Sequence, residues 1–505
     1  EAALRSSASA EALNYYQKGL QIYLSHGRSE VDHENIAMFE QNIATAFFNK
    51  ANWIEAVNHI DKVMSLYRQP TEVTPAFALI LFFWNSFLLA AGLKRALFRK
   101  KASPKETLLL DLGYKKASSL FFFDSSRLFF TSLAQFNRVC RFDIAEPTAF
   151  KNFISTAGML SLSGFSRGIA RKILAAGKER MHPENTNGLI SYKAIKAIND
   201  CFSGNFKDCR TYDIQTVDRA LDNGAVFEAV TYTNYLSFAQ AEMGEFSAVE
   251  SNVEKLREIS QTYDYNLATA GMHMLRTDLY IKKGAARQGI EAARTGLAFA
   301  LNEREMGLFY QIIFLSFEAE AHLLCGDLES AKALVIQAEQ IFSRKKIIAP
   351  FAVSCYQVAR LMFNVKAYEK SLFEDDRAAS EKLKNETFTN SKTAVRKLKR
   401  IALKRTKTFR LIGEFYGLNK KKNAAMKWLL KSARNGESQR ALPDLARTYV
   451  EIGRLLADQN NGSRKAKAYF QKALALFNDL ELSLDIEMLE KSVSDFKYQP
   501  LAWKE

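Results

Sequence analysis

The stretch NIATAFFNKANWIEAVNHIDKVMSLYRQP, residues Asn42–Pro70, decides the fold. Small Ala44 is followed three residues on by Phe47; a short polar break leads to Trp53; then come small Ala56, Ile60 and Val63. Apolar positions recurring at three- and four-residue intervals describe two helices, each with one buried stripe. Small side chains let helix axes approach, and the large ones fill the space beside them. The stretch predicts an antiparallel helical hairpin.

The hairpin recurs. Glu318–Phe342 carries Ala319, a turn glycine at Gly326, then Leu328, Ala331, Val335 and Ala338 at the same offsets. Tyr235–Ile259 repeats it with Ser237, Gly244, Phe246, Val249 and Val253, and Leu275–Ala300 with Tyr280, Gly284, Gly289, Ala293 and Gly296. Leu411–Ala433 has Gly413, Tyr416, Ala425 and Leu429; Tyr449–Phe477 has Gly453, Ala466, Phe470 and Ala473. These six copies resemble tetratricopeptide repeats, helix-turn-helix units of about 34 residues. The family's terminal proline is mostly missing. The resemblance implies an all-α fold, a superhelical solenoid of hairpins offering an extended concave surface.

Composition agrees. The chain has 505 residues, 48% of them hydrophobic, with only 8 Pro and 23 Gly, too few turn formers for a sheet-rich protein. The divisions expected are 1–105, with N-terminal repeats and an apolar helix; 106–185, helical hairpins; 186–390, a central array with a polar tail; and 391–505, a basic helix and the last repeats. Loops are expected at 181–188 and at Asn385–Ser391, the latter after an exposed helix. Five widely spaced cysteines without a CxxC pair argue against a disulfide framework or zinc site and for reduced thiols in a cytoplasmic protein.

The segment Leu442–Leu456, LPDLARTYVEIGRLL, and the opening Ser9–Tyr23, SAEALNYYQKGLQIY, are similar to the repeat region of large bacterial signalling proteins. In those, a nucleotide-binding ATPase module precedes the repeats, often with a class III nucleotide cyclase or a protein kinase domain. The chain starts at Glu1, which is read as the trimmed start of something longer. The resemblance implies a regulatory or sensor arm that binds a protein, or a small effector, and biases an attached module. No GxxxxGK[ST] phosphate loop, HExxH or GxSxG occurs, so neither catalytic residues nor a cofactor or metal is assigned.

The net charge of +16 is compatible with nucleic acid, an anionic membrane surface, an acidic protein or plain solvation. Its densest source is Arg396–Arg410, read as one amphipathic basic helix. Arg396, Lys397, Lys399, Arg400, Lys404, Arg405 and Lys407 are its candidates for contact with an anionic partner. A freestanding adaptor or transcription regulator with this helix facing nucleic acid is the alternative function. Specific nucleic-acid binding is not expected, because no aromatic residues interleave with the charges. Finally, Phe77–Leu93 has 17 mostly apolar residues, below the 20 or so that span a bilayer. It is expected to be a helix buried in protein, with Lys94, Arg95, Arg99, Lys100 and Lys101 at its C-terminal end.

Overall fold

The computed structural model describes residues 9–25, 33–92, 98, 100–181, 185–209, 213–302, 307–344, 349–399, 401–457 and 464–495. Among these the chain is helical, apart from turns and one isolated β-bridge between Lys100 and Phe142. The N-terminal part comprises α1 (Ser9–Ser25), α2 (His33–Asn49), α3 (Trp53–Leu66), α4 (Pro75–Ala90), α5 (Pro104–Phe123), α6 (Ser125–Val139), α7 (Pro147–Ser163) and α8 (Arg167–Arg180). The middle holds α9 (Thr186–Ser203), α10 (Ile214–Asp222), α11 (Val226–Met243), α12 (Phe246–Tyr263), α13 (Asn266–Lys282), α14 (Ala286–Asn302), α15 (Gly307–Leu324) and α16 (Leu328–Arg344). The last part contains α17 (Pro350–Phe373), α18 (Arg377–Leu398), α19 (Arg405–Leu418), α20 (Lys422–Gln439), α21 (Leu442–Ala457), α22 (Arg464–Asp479) and α23 (Ser483–Asp495).

One turn joins hairpin after hairpin. A residue with positive φ ends the first helix, and the following N–H reaches back to the carbonyl five residues earlier. Gly244, Gly284 and Gly326 take that position, with Glu245, Ala285 and Asp327 bonding back to Gln240, Tyr280 and His322 at 2.9 Å. Ala51 and Lys420 take it at the cost of strain, and make the same bonds through Asn52 and Lys421. The turn of the sixth copy, 458–463, lies outside the described residues.

The first helix of each central hairpin is buried around most of its circumference, as in α11, α13, α15 and α17. The second is amphipathic and lies outside. Ala44, Ala56, Ala319, Ala331, Ala338, Ala466, Phe470 and Ala473 are buried. Gly453 lies so close to Phe470 that a Cβ there would meet the ring at 2.5 Å, and Gly413 faces Leu429 in the same way. One apolar core runs from Ile43 to Leu489; a second gathers α4, α6, α7 and α8.

The stack turns back on itself. α21 packs on α11, α5 on α15 and α7 on α17. The Arg447 guanidinium donates to the Lys282 carbonyl at 2.8 Å, and Leu480 sits against Gly244. The C-terminal hairpins therefore close onto the ends of α11 and α13 in the central array.

Three expectations need correction. The segment Asn385–Ser391 is not a loop but the middle of α18. The hydroxyls of Thr387, Thr389 and Ser391 donate to the carbonyls four residues back, so their hydrogen bonds stay within the helix, and Thr387, Asn390 and Ser391 face inward. The interval at 181–188 is shorter than expected: Asn185 caps α9 by accepting from the Gly188 N–H at 2.8 Å. The helix in Phe77–Leu93 is not enclosed. Ala78, Phe82, Ser86 and Leu89 of α4 are buried, whereas Phe77, Ile80, Phe83, Trp84 and Phe87 are exposed; Leu93 is outside the described residues.

Candidate functional site

The basic stretch Arg396–Arg410 is not one helix. α18 stops at Leu398, Lys404 takes a left-handed conformation (φ +62°), and α19 starts at Arg405. Burial of Ile401, Ala402 and Leu403 forces the break, because no single straight helix could turn these and the flanking apolar residues into the same core. Arg396, Lys397 and Lys399 are exposed, and Arg400 falls outside the described residues. Arg405 is half-buried and donates to the Leu398 carbonyl, closing the end of α18; burial, with Arg167 nearby, lowers its guanidinium to about 10.

Lys404 and Lys407 point inward. Lys404 pairs with Asp278 and lies 4.9 Å from the centre of the Phe317 ring; Lys407 pairs with Glu320. Lys282 bonds Glu242 at 2.9 Å, Arg410 reaches Glu414 and Asp444, and Arg447 grips Asp485 with two bonds of 2.7 and 2.8 Å. The result is a ladder of buried ion pairs joining α11, α13 and α15 to the C-terminal hairpins. Burial alone would discharge Lys404, but Asp278, Glu320 and Glu242 outweigh it and raise its ammonium well above the ordinary lysine range. Burial would likewise raise the Asp278 carboxyl, and Lys282 and Lys404 instead hold it below the usual value. These two lysines are tied up internally and are not free for an outside anion.

The open space lies elsewhere, where the N-terminal helices meet the central ones. A narrow apolar cleft is walled by α5, α6, α7, α9, α11, α13, α15 and α17, with Phe121, Phe122, Phe227, Phe238, Phe309 and Tyr310 among its lining side chains. It adjoins a wider opening across the shared side chains Phe121, Leu128, Met159 and Leu162; Arg360 and Lys397 stand at that mouth. Phe227 separates the cleft from a further compartment whose lining includes Asp111, Lys115, Lys151 and Glu228. There the Tyr114 hydroxyl donates to Glu228 at 2.8 Å, and Lys151 pairs with the same carboxylate at 2.5 Å while lying 4.2 Å from the centre of the Tyr114 ring.

Each compartment contains a buried polar atom with no hydrogen-bond partner among the described residues. These are Oδ1 of Asn234 in the apolar cleft, Oε1 of Gln357 in the wide opening and the Tyr265 hydroxyl in the further compartment. Leaving such an atom unpaired costs about 1–3 kcal/mol; all three are closed off from solvent, and unpaired atoms of the same kind also occur in the packed core, at Trp53 and Ser119. Sequence reading passed over them: Asn234 and Gln357 stand at inward positions of apolar helices, and a polar residue in such a stripe was the available signal. Among the described residues no group of three or more His, Cys, Asp or Glu is placed to hold a metal ion.

No protein-family model matches the chain, and no curated protein matches it in sequence. Solved structures do. A Rap protein complexed with Competence and Sporulation Factor aligns over 74% of this chain and 99% of its own, with a TM-score of 0.51 and 10% identity. The fold is an all-α, tetratricopeptide-like repeat solenoid. The APC/C hetero-tetramer Cut9–Hcn1 aligns over 97% of this chain and 94% of its own at a TM-score of 0.40 and 11% identity. Among the described residues no helix is long and apolar enough to cross a membrane.

Proposed function

We propose that the chain is a protein-binding scaffold that takes an apolar segment of a protein partner in the cleft between α5–α7 and α11–α17, and that occupancy of the cleft regulates a module attached to it. The observation that carries the reading is the opening itself, an apolar cleft that runs into a wider mouth carrying Arg360 and Lys397 and adjoins a compartment lined by Lys115, Lys151 and Glu228. A peptide suits it because it offers apolar side chains and backbone hydrogen-bonding groups at close intervals. A small apolar effector could fill the inner cleft but would leave the outer compartments unsatisfied. The attached module is expected to be a nucleotide-binding ATPase or signalling output, on the resemblance of Leu442–Leu456 and Ser9–Tyr23. The nucleic-acid alternative is disfavoured by the burial of Lys404 and Lys407.

Peptides selected for binding to the chain provide the test. Thr231 is half-buried on the cleft wall, so Thr231→Trp fills the space, and it should abolish their binding while leaving the fold intact by circular dichroism. Asn234→Leu should weaken it. Selected peptides that bind Thr231→Trp as well as the parent chain would sink the reading. For regulation, the turnover of the full protein is compared with and without this region; equal rates in the presence of a bound peptide would remove that role.

A further inference from the structure

Helix α4 has no charged residue in its length, PAFALILFFWNSFLLA. Its Ala78–Phe82–Ser86–Leu89 side packs on α6 and α8, which fixes its orientation. The opposite side carries Phe77 (63% exposed), Ile80 (67%), Phe83 (52%), Trp84 (58%) and Phe87 (58%). Trp84 and Phe87 stack with centroids 6.0 Å apart, and Phe83 reaches the exposed Phe165 at 6.3 Å, so the patch is continuous. A contiguous exposed apolar patch of this kind marks an interaction surface.

Its border is cationic. Beside Trp84 a cleft is lined by Lys100, Arg138 and Arg141, and Lys101 follows, exposed. None of these four forms an ion pair among the described residues. Glu106 in that cleft accepts the Ser103 N–H at 2.8 Å to cap α5 and also interacts electrostatically with Lys100 and Arg138, so one carboxylate faces four cations. The face therefore joins a charge-free aromatic helix to a border of net positive charge.

We propose that this face is a membrane-docking surface: α4 lies in the interface of an anionic bilayer without crossing it, its aromatic side chains seated among the lipids and Lys100, Lys101, Arg138 and Arg141 on the phosphates. The chemistry favours that occupant. Trp sits well at the boundary between headgroups and acyl chains, and cations beside an amphipathic helix add attraction to anionic lipid. A second copy meeting the same face would set two cation clusters against each other. Nucleic acid would satisfy the cations and leave the aromatic face in water. The face meets the wide opening of the proposed partner cleft at Phe165, but Phe83, Trp84, Phe87, Arg138 and Arg141 line none of that cleft's compartments.

The test is co-sedimentation of the full chain with phosphatidylcholine vesicles and with mixed phosphatidylcholine–phosphatidylglycerol vesicles. Binding should require the anionic lipid and be released by high salt, and the emission of Trp84 should shift to the blue, a shift lost in Trp84→Phe. Phe83→Ser/Phe87→Ser, two exposed positions, should lower binding at least about tenfold, and Arg138→Gln/Arg141→Gln roughly tenfold to thirtyfold. Failure to sediment with either vesicle overturns the proposal. So does binding unchanged in the double serine variant, or a dimer seen by sedimentation velocity that the serine variant dissolves, which would assign the face to a second copy.

Discussion

Replacing Lys404 by Met removes one charge from the buried ladder while keeping a side chain of similar length and the same left-handed backbone. Lys404 and Asp278 are both nearly inaccessible, and breaking such a pair costs about 3–5 kcal/mol because the surviving charge is left uncompensated. Here Asp278 retains Lys282 at 3.9 Å on its other oxygen, which places the cost at the lower end, about 3–4 kcal/mol. The pair joins α19 to α13, so the loss should show as local opening of the C-terminal hairpins. Hydrogen exchange followed by mass spectrometry reads this: amide protection in α19–α22 should fall by about two to three orders of magnitude in Lys404→Met. The double variant Lys404→Met/Asp278→Asn removes both charges, and Lys282 keeps Glu242 at 2.9 Å. Its protection should return to within about tenfold of the parent, a coupling of roughly 2–3 kcal/mol. Unchanged protection in the single variant, or a double variant as open as the single, would refute the claim that the ladder clamps the two halves.

Ala331→Leu, Ala466→Leu and Ala473→Leu each force a larger side chain into a closed helix contact and should cost about 1–3 kcal/mol, read as a lower urea midpoint; three unchanged midpoints would count against the hairpin packing. Of the five thiols, exposed Cys325 should react rapidly with a thiol reagent in the native protein, while Cys140, Cys201, Cys209 and Cys355 wait for unfolding, burial having pushed Cys209 up to about 12. Asp213 caps α10 and is lowered to about 2, first by the hydrogen bond from Lys193 and then by that from Thr216. Its contribution to stability is therefore present above the unfolded value of about 3.9 and is lost as pH falls toward 2, and carboxyl NMR should find its midpoint near the lower figure. An ordinary midpoint would mean that the Lys193 contact does not persist in solution.

The hairpins were legible because their information is local. Spacing of Ala319, Ala331 and Ala338, or Gly453 against Phe470, is set within a few turns of chain, and the turn glycines sit where positive φ is needed. What escaped was of two kinds. Composition fixed neither the exposed side of α4 nor the helical run through Asn385–Ser391: an apolar helix looks the same whether one or both faces are covered, and Thr and Ser bond back to the helix as readily as they turn out of it. Long-range pairing was invisible as well. Lys404 meets Asp278 across 126 positions, and a basic run read along the chain looks solvent-facing until its acids arrive from other helices. The cleft follows the same logic, since its walls come from helices between α5 and α17 that meet only after folding.

The return of α21 onto α11 changes what kind of mechanical object the array is. An open solenoid is a spring: each hairpin touches only its neighbours, and its stability is close to a sum along the line. Here the first and last central hairpins are latched, so the segment from α11 to α21 is a loop with a fixed perimeter. Bending cannot be passed to a free end. A partner bound in the cleft as proposed would act at a distance by changing how readily the latch opens, a switch between closed and open rather than a graded curvature. Deleting α21–α23 should accordingly weaken protection in α11 and α13, which end 199 and 160 positions before the cut at Leu442.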